Sequence, residues 1–196
     1  MTTIGLIRHG ITEWNVLGKA QGSTDIPLNE TGRQQALEMG ERLFHEEKWD
    51  LMISSDLMRA KETAMIIGNR INLPILHVDE RIREISCGEV EGTTEEQHLS
   101  RWGQNWRELE LGGERPQEVS ERGVDFLHDI TKTYSGKRIL VVSHGACIGL
   151  TLQRLLPERF HETYIDNTSI TILKHTEEEW GCLLYNCTQH LKSIEV

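Results

Sequence analysis

Two short stretches near opposite ends of the chain carry residues suited to holding an anion. Thr3-Ile4-Gly5-Leu6-Ile7 runs into Arg8-His9-Gly10, and Arg138-Ile139-Leu140-Val141-Val142 runs into Ser143-His144-Gly145. A guanidinium presents a rigid fork of donors, and a neutral imidazole presents a lone pair. Glycine lets backbone approach a ligand closely. If the two stretches are neighbouring strands, both imidazoles face one pocket. Arg59 falls in the first turn of a predicted helix, where a cation opposes the helix dipole. An anion held just past the preceding strand is one reason for it. A surface pair with Glu62 is the other. Glu84 leads into a glycine-rich turn, with Glu89 and Glu91 as competitors for any acid role. Thr12 and Asn15, three apart, suit either helix capping or anion binding.

His9, His144 and Glu84 also form a formal two-histidine, one-carboxylate set. Arg8 and Arg59 count against a metal there, because two fixed cations repel a third. No metal and no cofactor is expected. Cys87, Cys147, Cys182 and Cys187 show no CxxC spacing and read as reduced, core-filling thiols.

The elements that must position these residues follow from pattern. Thr3–Ile7, Asp50–Ser55, Leu73–Val78 and Arg138–Ser143 read as short buried strands. Asn29–Gln34 reads as a helix start with Thr31 and Gln34 as a capping box, and Glu46, Glu47 and Lys48 close that helix. Leu57, Ala60, Ala64 and Ile67 make a second helical stripe, which Ser55 or Asp56 can cap. A third helix spans about Gln117 to Tyr134, and a buried one follows Gly145. Ser169–Lys174 and Gly181–Asn186 read as a hairpin. This alternation gives an α/β sandwich with a mainly parallel sheet. Residues 93–116 are an excursion from it, a candidate lid. Trp102 and Trp106, four apart, share a face if they lie on one helix. Arg115, beside Gly112-Gly113, is placed to meet a second anionic group of a substrate.

Composition narrows the partners. The chain has 196 residues, 21 Lys+Arg against 31 Asp+Glu, and a formal charge of −10. That balance argues against nucleic acid or an anionic membrane as a main partner. No apolar run approaches ~20 residues. The first strand begins at once, leaving no room for a signal peptide, so a cytoplasmic protein is expected. Oligomeric state is not readable.

The residues now add up to a resemblance. Leu6-Ile7-Arg8-His9-Gly10-Ile11-Thr12, with Asn15 after it, resembles the signature of the histidine phosphatase superfamily, the phosphoglycerate mutase-like proteins. Gln21-Gly22 and then Asp25–Gly32 resemble its second block. Ser54–Ala60 with Thr63-Ala64 resembles its third, and Arg83-Glu84-Ile85 with Gly88 and Glu91-Gly92 its fourth. Val142-Ser143-His144-Gly145 resembles its last. Five blocks stand in order over almost the whole chain. The resemblance implies one domain over residues 1–196, a three-layer α/β/α sandwich with a mixed, mainly parallel sheet. It implies His9 as nucleophile, Glu84 as proton donor, and Arg8, Arg59 and His144 as phosphate ligands. Asn15, Thr12, Gln21 and Gly22 would line the pocket.

The expected partner is a small-molecule phosphate monoester, and the expected reaction is hydrolysis rather than phosphoglycerate mutase-type transfer. A mutase must exclude water, which takes a long basic lid and a sealing tail. Thr93-Thr94-Glu95-Glu96-Gln97-His98 has no Gly-Leu-Asn-Lys-like stretch, and the chain stops at Val196 soon after its hairpin. Gly112-Gly113-Glu114 followed by Glu118-Val119 resembles the short bacterial branch of broad-specificity and α-ribazole phosphatases. A binding module without catalysis is the alternative on the same fold.

Overall fold

The computed structural model describes residues 1–46, 48–177 and 179–191. Six strands form one sheet: β1 (Thr2–Arg8), β2 (Leu51–Ser54), β3 (His77–Val78), β4 (Arg138–Ser143), β5 (Ile170–His175) and β6 (Trp180–Cys187). Their order is β3-β2-β4-β1-β5-β6. β1 to β4 are mutually parallel where they pair, and β5 and β6 run antiparallel. The expected mixed sheet and terminal hairpin are therefore present.

Alternation along the central strands divides the core in two. Ile4 and Leu6 of β1, with Ile139 and Val141 of β4, face one side. There they meet Val119, Phe126 and Ile130 of α5 (Pro116–Thr133) and Ile148 and Leu152 of α6 (Gly145–Leu155). Ile7, Leu140 and Val142 face the other side. They pack on α2 (Glu30–His45) and α3 (Met58–Ile71) through Met39, Leu43, Ala60, Ala64 and Ile67. Helices thus cover both faces, as the parallel core requires.

Several expectations shift. α2 is capped by Asn29, whose Oδ1 accepts from Gly32 N at 2.9 Å; Thr31 and Gln34 lie inside the helix. α2 closes at His45, and Glu47 lies outside the described residues. The third strand shrinks to His77–Val78, because Leu73 N is used by Gly68 O and closes α3. Neither Ser55 nor Asp56 bonds an N1–N3 amide of α3. Asp25 does, accepting from Met58 N at 2.6 Å, while the backbone amide that Ser55 Oγ accepts from, Leu57 N, lies one residue before the helix. In the excursion, α4 (Glu95–Trp102) stops at Gly103, whose φ of 78° suits glycine. Trp106 begins a separate 3-10 turn, so the two tryptophans do not share one helix face. They converge on His98 instead, with ring centroids 6.0 and 4.5 Å away. The expectation drawn from the chain end concerns residues 192–196, outside the described set.

Candidate active site

The ladder between β1 and β4 pairs Arg8 with Ser143. His9 and His144 are the next residues, so two histidines remote in sequence leave adjacent strands side by side. His9 N donates to Ser143 O, and the two rings lie 5.2 Å apart by centroid. Both are buried, at 1% and 0% exposure.

One ring has its tautomer fixed by its partner, and burial disfavours the charged form of both. His9 Nδ1 lies 2.7 Å from Gly10 O. A carbonyl only accepts, so Nδ1 carries the proton and Nε2 keeps its lone pair. Burial drives the His9 pKa well below 6.5, with Arg59 and Arg8 adding repulsion. His144 is driven down in the same way, by burial first and Arg59 second. Its Nε2 meets Ser55 Oγ at 2.9 Å, and its Nδ1 is buried without a partner.

The cations come from the strand end and from α3. Arg8 Nη1 donates to Ile165 O at 2.6 Å. Arg59 is fully buried and donates to Thr24 O at 2.9 Å and Gly22 O at 2.7 Å. It does not pair with Glu62, which instead holds Arg33 at 2.6 Å. Among the described residues, Arg8 Nε and Arg59 Nε are buried with no hydrogen-bond partner. Burial pulls both guanidinium pKa values down, and Glu84 is the first charge opposing that shift. Two desolvated guanidiniums with free Nε donors, beside an unpartnered imidazole nitrogen, make a cradle for a compact anion.

Glu84 stands at the opening of α6. Its Oε1 accepts from Cys147 N at 3.0 Å and Ile85 N at 3.1 Å, and its Oε2 from Ala146 N at 3.3 Å. Its competitors are otherwise engaged. Glu91 accepts from the amides of Ser23, Thr24 and Cys87. Glu89 is exposed and lies 3.7 Å from Arg101.

The remaining candidates divide. Thr12 and Asn15 make a reciprocal capping box on the one-turn helix α1 (Glu13–Val16). Thr12 Oγ1 also donates to Gln21 Oε1 at 2.8 Å. Gly22, at φ 51°, lends its carbonyl to Arg59. Thr12, Asn15 and Gln21 are thus bonded to one another, and Gly22 is bonded to Arg59. Arg115 does not join the cluster. Its side chain is 80% exposed and closes onto Glu118 at 2.6 Å as part of the α5 cap. It stands at a cleft of about 830 Å³ shared with Ile85, Ser86 and Cys87.

Other contributors went unread in the sequence. Thr63 Oγ1 accepts from Gly10 N at 3.1 Å, and Asn167 Nδ2 donates to His9 O at 3.0 Å. Gln35 Oε1 takes Ile11 N at 3.0 Å. Only the polar run before β5 gave a local hint, for Asn167. Among the described residues, no group of three or more His, Cys, Asp or Glu is arranged to hold a metal ion.

Fold and site together define an α/β enzyme of phosphate-ester chemistry, built around two buried histidines, the buried Arg59 and the half-buried Arg8. The chain belongs to the histidine phosphatase superfamily (branch 1), whose family model matches residues 4–188. It is 37% identical over 197 residues to an uncharacterized phosphatase, PhoE, of Bacillus subtilis strain 168, with 99% of each chain covered. It is 33% identical to GpmB of Salmonella paratyphi A, named as a probable phosphoglycerate mutase, over 92% of this chain and 88% of that one. Among solved structures, Entamoeba histolytica phosphoserine phosphatase in complex with 3-phosphoglyceric acid superposes with a TM-score of 0.83. That pair is 35% identical, covering 98% of this chain and 100% of the other.

Proposed function

We propose that this protein hydrolyses small phosphate monoesters through a phosphohistidine on His9, without a metal ion or cofactor. The observation that carries the reading is the Nδ1–H bond of His9 to Gly10 O, 2.7 Å long, in a ring that Arg59 and Arg8 repel from the charged form and that lies 5.2 Å from the His144 ring. A neutral ring attacks a phosphate dianion without the repulsion an anionic nucleophile would meet. Nε2 forms the bond to phosphorus, and the ester oxygen leaves with the bonding electron pair. Glu84 gives that oxygen a proton. The ring becomes cationic, and its Nδ1–H stays on the Gly10 carbonyl. Arg8, Arg59 and His144 hold the phosphoryl oxygens. Water then attacks phosphorus, returns a proton to Glu84 and frees inorganic phosphate and His9.

Asn15, Thr12, Gln21 and Gly22 keep the wall of that site, and one unit over residues 1–196 carries all of it. The relatives named as phosphatases support hydrolysis over transfer. The ligand of the Entamoeba enzyme supports small, compact esters. The four cysteines are free, and no helix of the described residues is long and apolar enough to cross a membrane. We assign the protein to the cytoplasm on that basis.

The test is a release assay over a panel of monoesters that includes phosphoserine and 3-phosphoglycerate, run with chelator present. Free phosphate is expected, with an acid-labile, base-stable label that His9→Ala removes. Interconversion of 2- and 3-phosphoglycerate with almost no free phosphate would overturn hydrolysis. Binding without turnover or label would leave a phospholigand-binding module.

A further inference from the structure

Arg122 lies on α5, outside the cluster of phosphate ligands, yet it reaches the same loop as Glu84. A guanidinium has five N–H donors in a fixed plane. Here all five are committed. Nε and Nη2 donate to Glu114 Oε1 and Oε2 at 2.7 and 2.9 Å. Nη1 donates to Arg81 O at 2.6 Å and Arg83 O at 2.8 Å. The second Nη2 donor reaches Glu84 O at 3.2 Å. Three carbonyls of the segment that carries Glu84 are thus gathered on one side chain. That side chain is mostly buried, at 19% exposure. Its Nη1 also lies 3.7 Å from Cys147 Sγ, and Cys147 N is the amide that holds the Glu84 carboxylate. Glu114 belongs to the foot of the excursion, where its own amide donates to Ser86 O at 2.8 Å.

We propose that Arg122, fixed by Glu114, is the positioning residue for Glu84: it sets where the proton donor stands relative to the leaving oxygen. The assignment rests on Glu84 being that donor. Arg122 touches neither the phosphoryl group nor the ester oxygen. Removing it therefore leaves the phosphate cradle in place and moves the acid. Three donors on a lysine cannot replace five in a plane.

Leaving-group dependence separates this role from a general loss of structure. A dinitrophenolate departs without help, whereas a phenolate needs a proton. The value of kcat/KM, which reports the step that breaks the P–O bond, is measured for Arg122→Ala, Arg122→Lys, Glu114→Gln and Glu84→Gln across substituted phenyl phosphates. A positioned general acid contributes roughly 10²- to 10⁴-fold. Each Arg122 variant is expected to lose at least about ten-fold more on phenyl phosphate than on dinitrophenyl phosphate. Competitive inhibition by inorganic phosphate should stay at the wild-type value. Glu114→Gln should show the same tilt to a smaller degree, and it keeps the assignment testable if Arg122→Ala does not fold. A uniform loss in the Arg122 variants, beside a tilted loss in Glu84→Gln, overturns the Arg122 assignment alone. A uniform loss in Glu84→Gln overturns the acid role itself and this inference with it.

Discussion

At the scale of single residues, burial sets the chemistry of the two histidines. His9 and His144 sit in the fold as neutral rings with pKa values well below 6.5, and burial is the largest cause for each. In the unfolded chain both titrate near 6.5. Between those two values the unfolded state binds more protons, so stability rises with pH across the window. The contribution is complete above about pH 7 and is lost as pH falls toward the folded pKa values. Urea unfolding from about pH 5 to about pH 7.5 should show this slope in the wild type, and a shallower slope in a His9→Asn, His144→Asn double variant. Equal slopes would refute the neutral-ring assignment, as would histidine NMR signals of these two rings titrating near 6.5. The candidate residues that the structure brings together share one property: a local reason to be where they are. Arg8, His9 and His144 each follow an apolar strand, and Arg59 contradicts the dipole of its own helix. Thr63 and Gln35 have no such mark, and Asn167 has only the polar run around it. Their bonds to Gly10 N, Ile11 N and His9 O exist only once α2, α3 and the loop before β5 are docked. Arg115 stands apart from that cluster, at the cleft it shares with Ile85, Ser86 and Cys87. A cation near glycines suggested a ligand, but Glu118, one helical turn on, satisfied it locally.

At the scale of elements, loops are tied down by single carboxylates. Glu91 accepts from Ser23 N, Thr24 N and Cys87 N at 2.9 to 3.0 Å, and from the Thr24 hydroxyl. The loop it grips offers Gly22 O and Thr24 O to Arg59. The path from Glu91 to the phosphate cradle is therefore two hydrogen-bonded steps long. Hydrogen bonds to a charged group are worth about 1.5–3 kcal/mol each. Glu91→Gln keeps one oxygen and removes the charge, so Arg59 should lose its fixed direction. Inhibition by inorganic phosphate is expected to weaken by about ten-fold, equivalent to about 1.4 kcal/mol, with the midpoint of urea unfolding lowered as well. Unchanged inhibition in a destabilised variant would show that Arg59 is held by α3 alone. The element boundaries missed in the sequence have the same long-range origin. Asp25 caps α3 from 33 positions away, which no local capping rule can see. Asn29 outcompeted Thr31 because its side chain reaches Gly32 N from an extended backbone, at φ −88° and ψ −179°.

At the scale of the whole molecule, strand order does what no motif can: it brings His9 and His144 together. The alternation of helix and strand made the sandwich legible, and β1 beside β4 at its centre follows the rule that such sheets hold ligands past the carboxyl ends of their strands. The excursion was legible only as irregularity, since its order comes from packing around His98. That difference predicts how the protein opens. Ile4, Ile7, Ile139, Leu140, Val141 and Val142 are fully buried, with helices on both faces. Along α4 only His98 is buried, and the 3-10 turn at Trp106–Glu108 buries nothing. Its ion pairs, such as Arg107 with Glu95, are exposed and so worth about 0–1 kcal/mol each. Few buried apolar groups mean a low free energy of local opening. In native-state hydrogen exchange, the amides of β1 and β4 should exchange only by global unfolding and accelerate with urea. Those of residues 95–108 should exchange faster, with little dependence on urea, because their opening exposes little new surface. Protection of α4 equal to that of β1 would mean that the excursion is part of the cooperative core, and a lid role for residues 93–116 would fall.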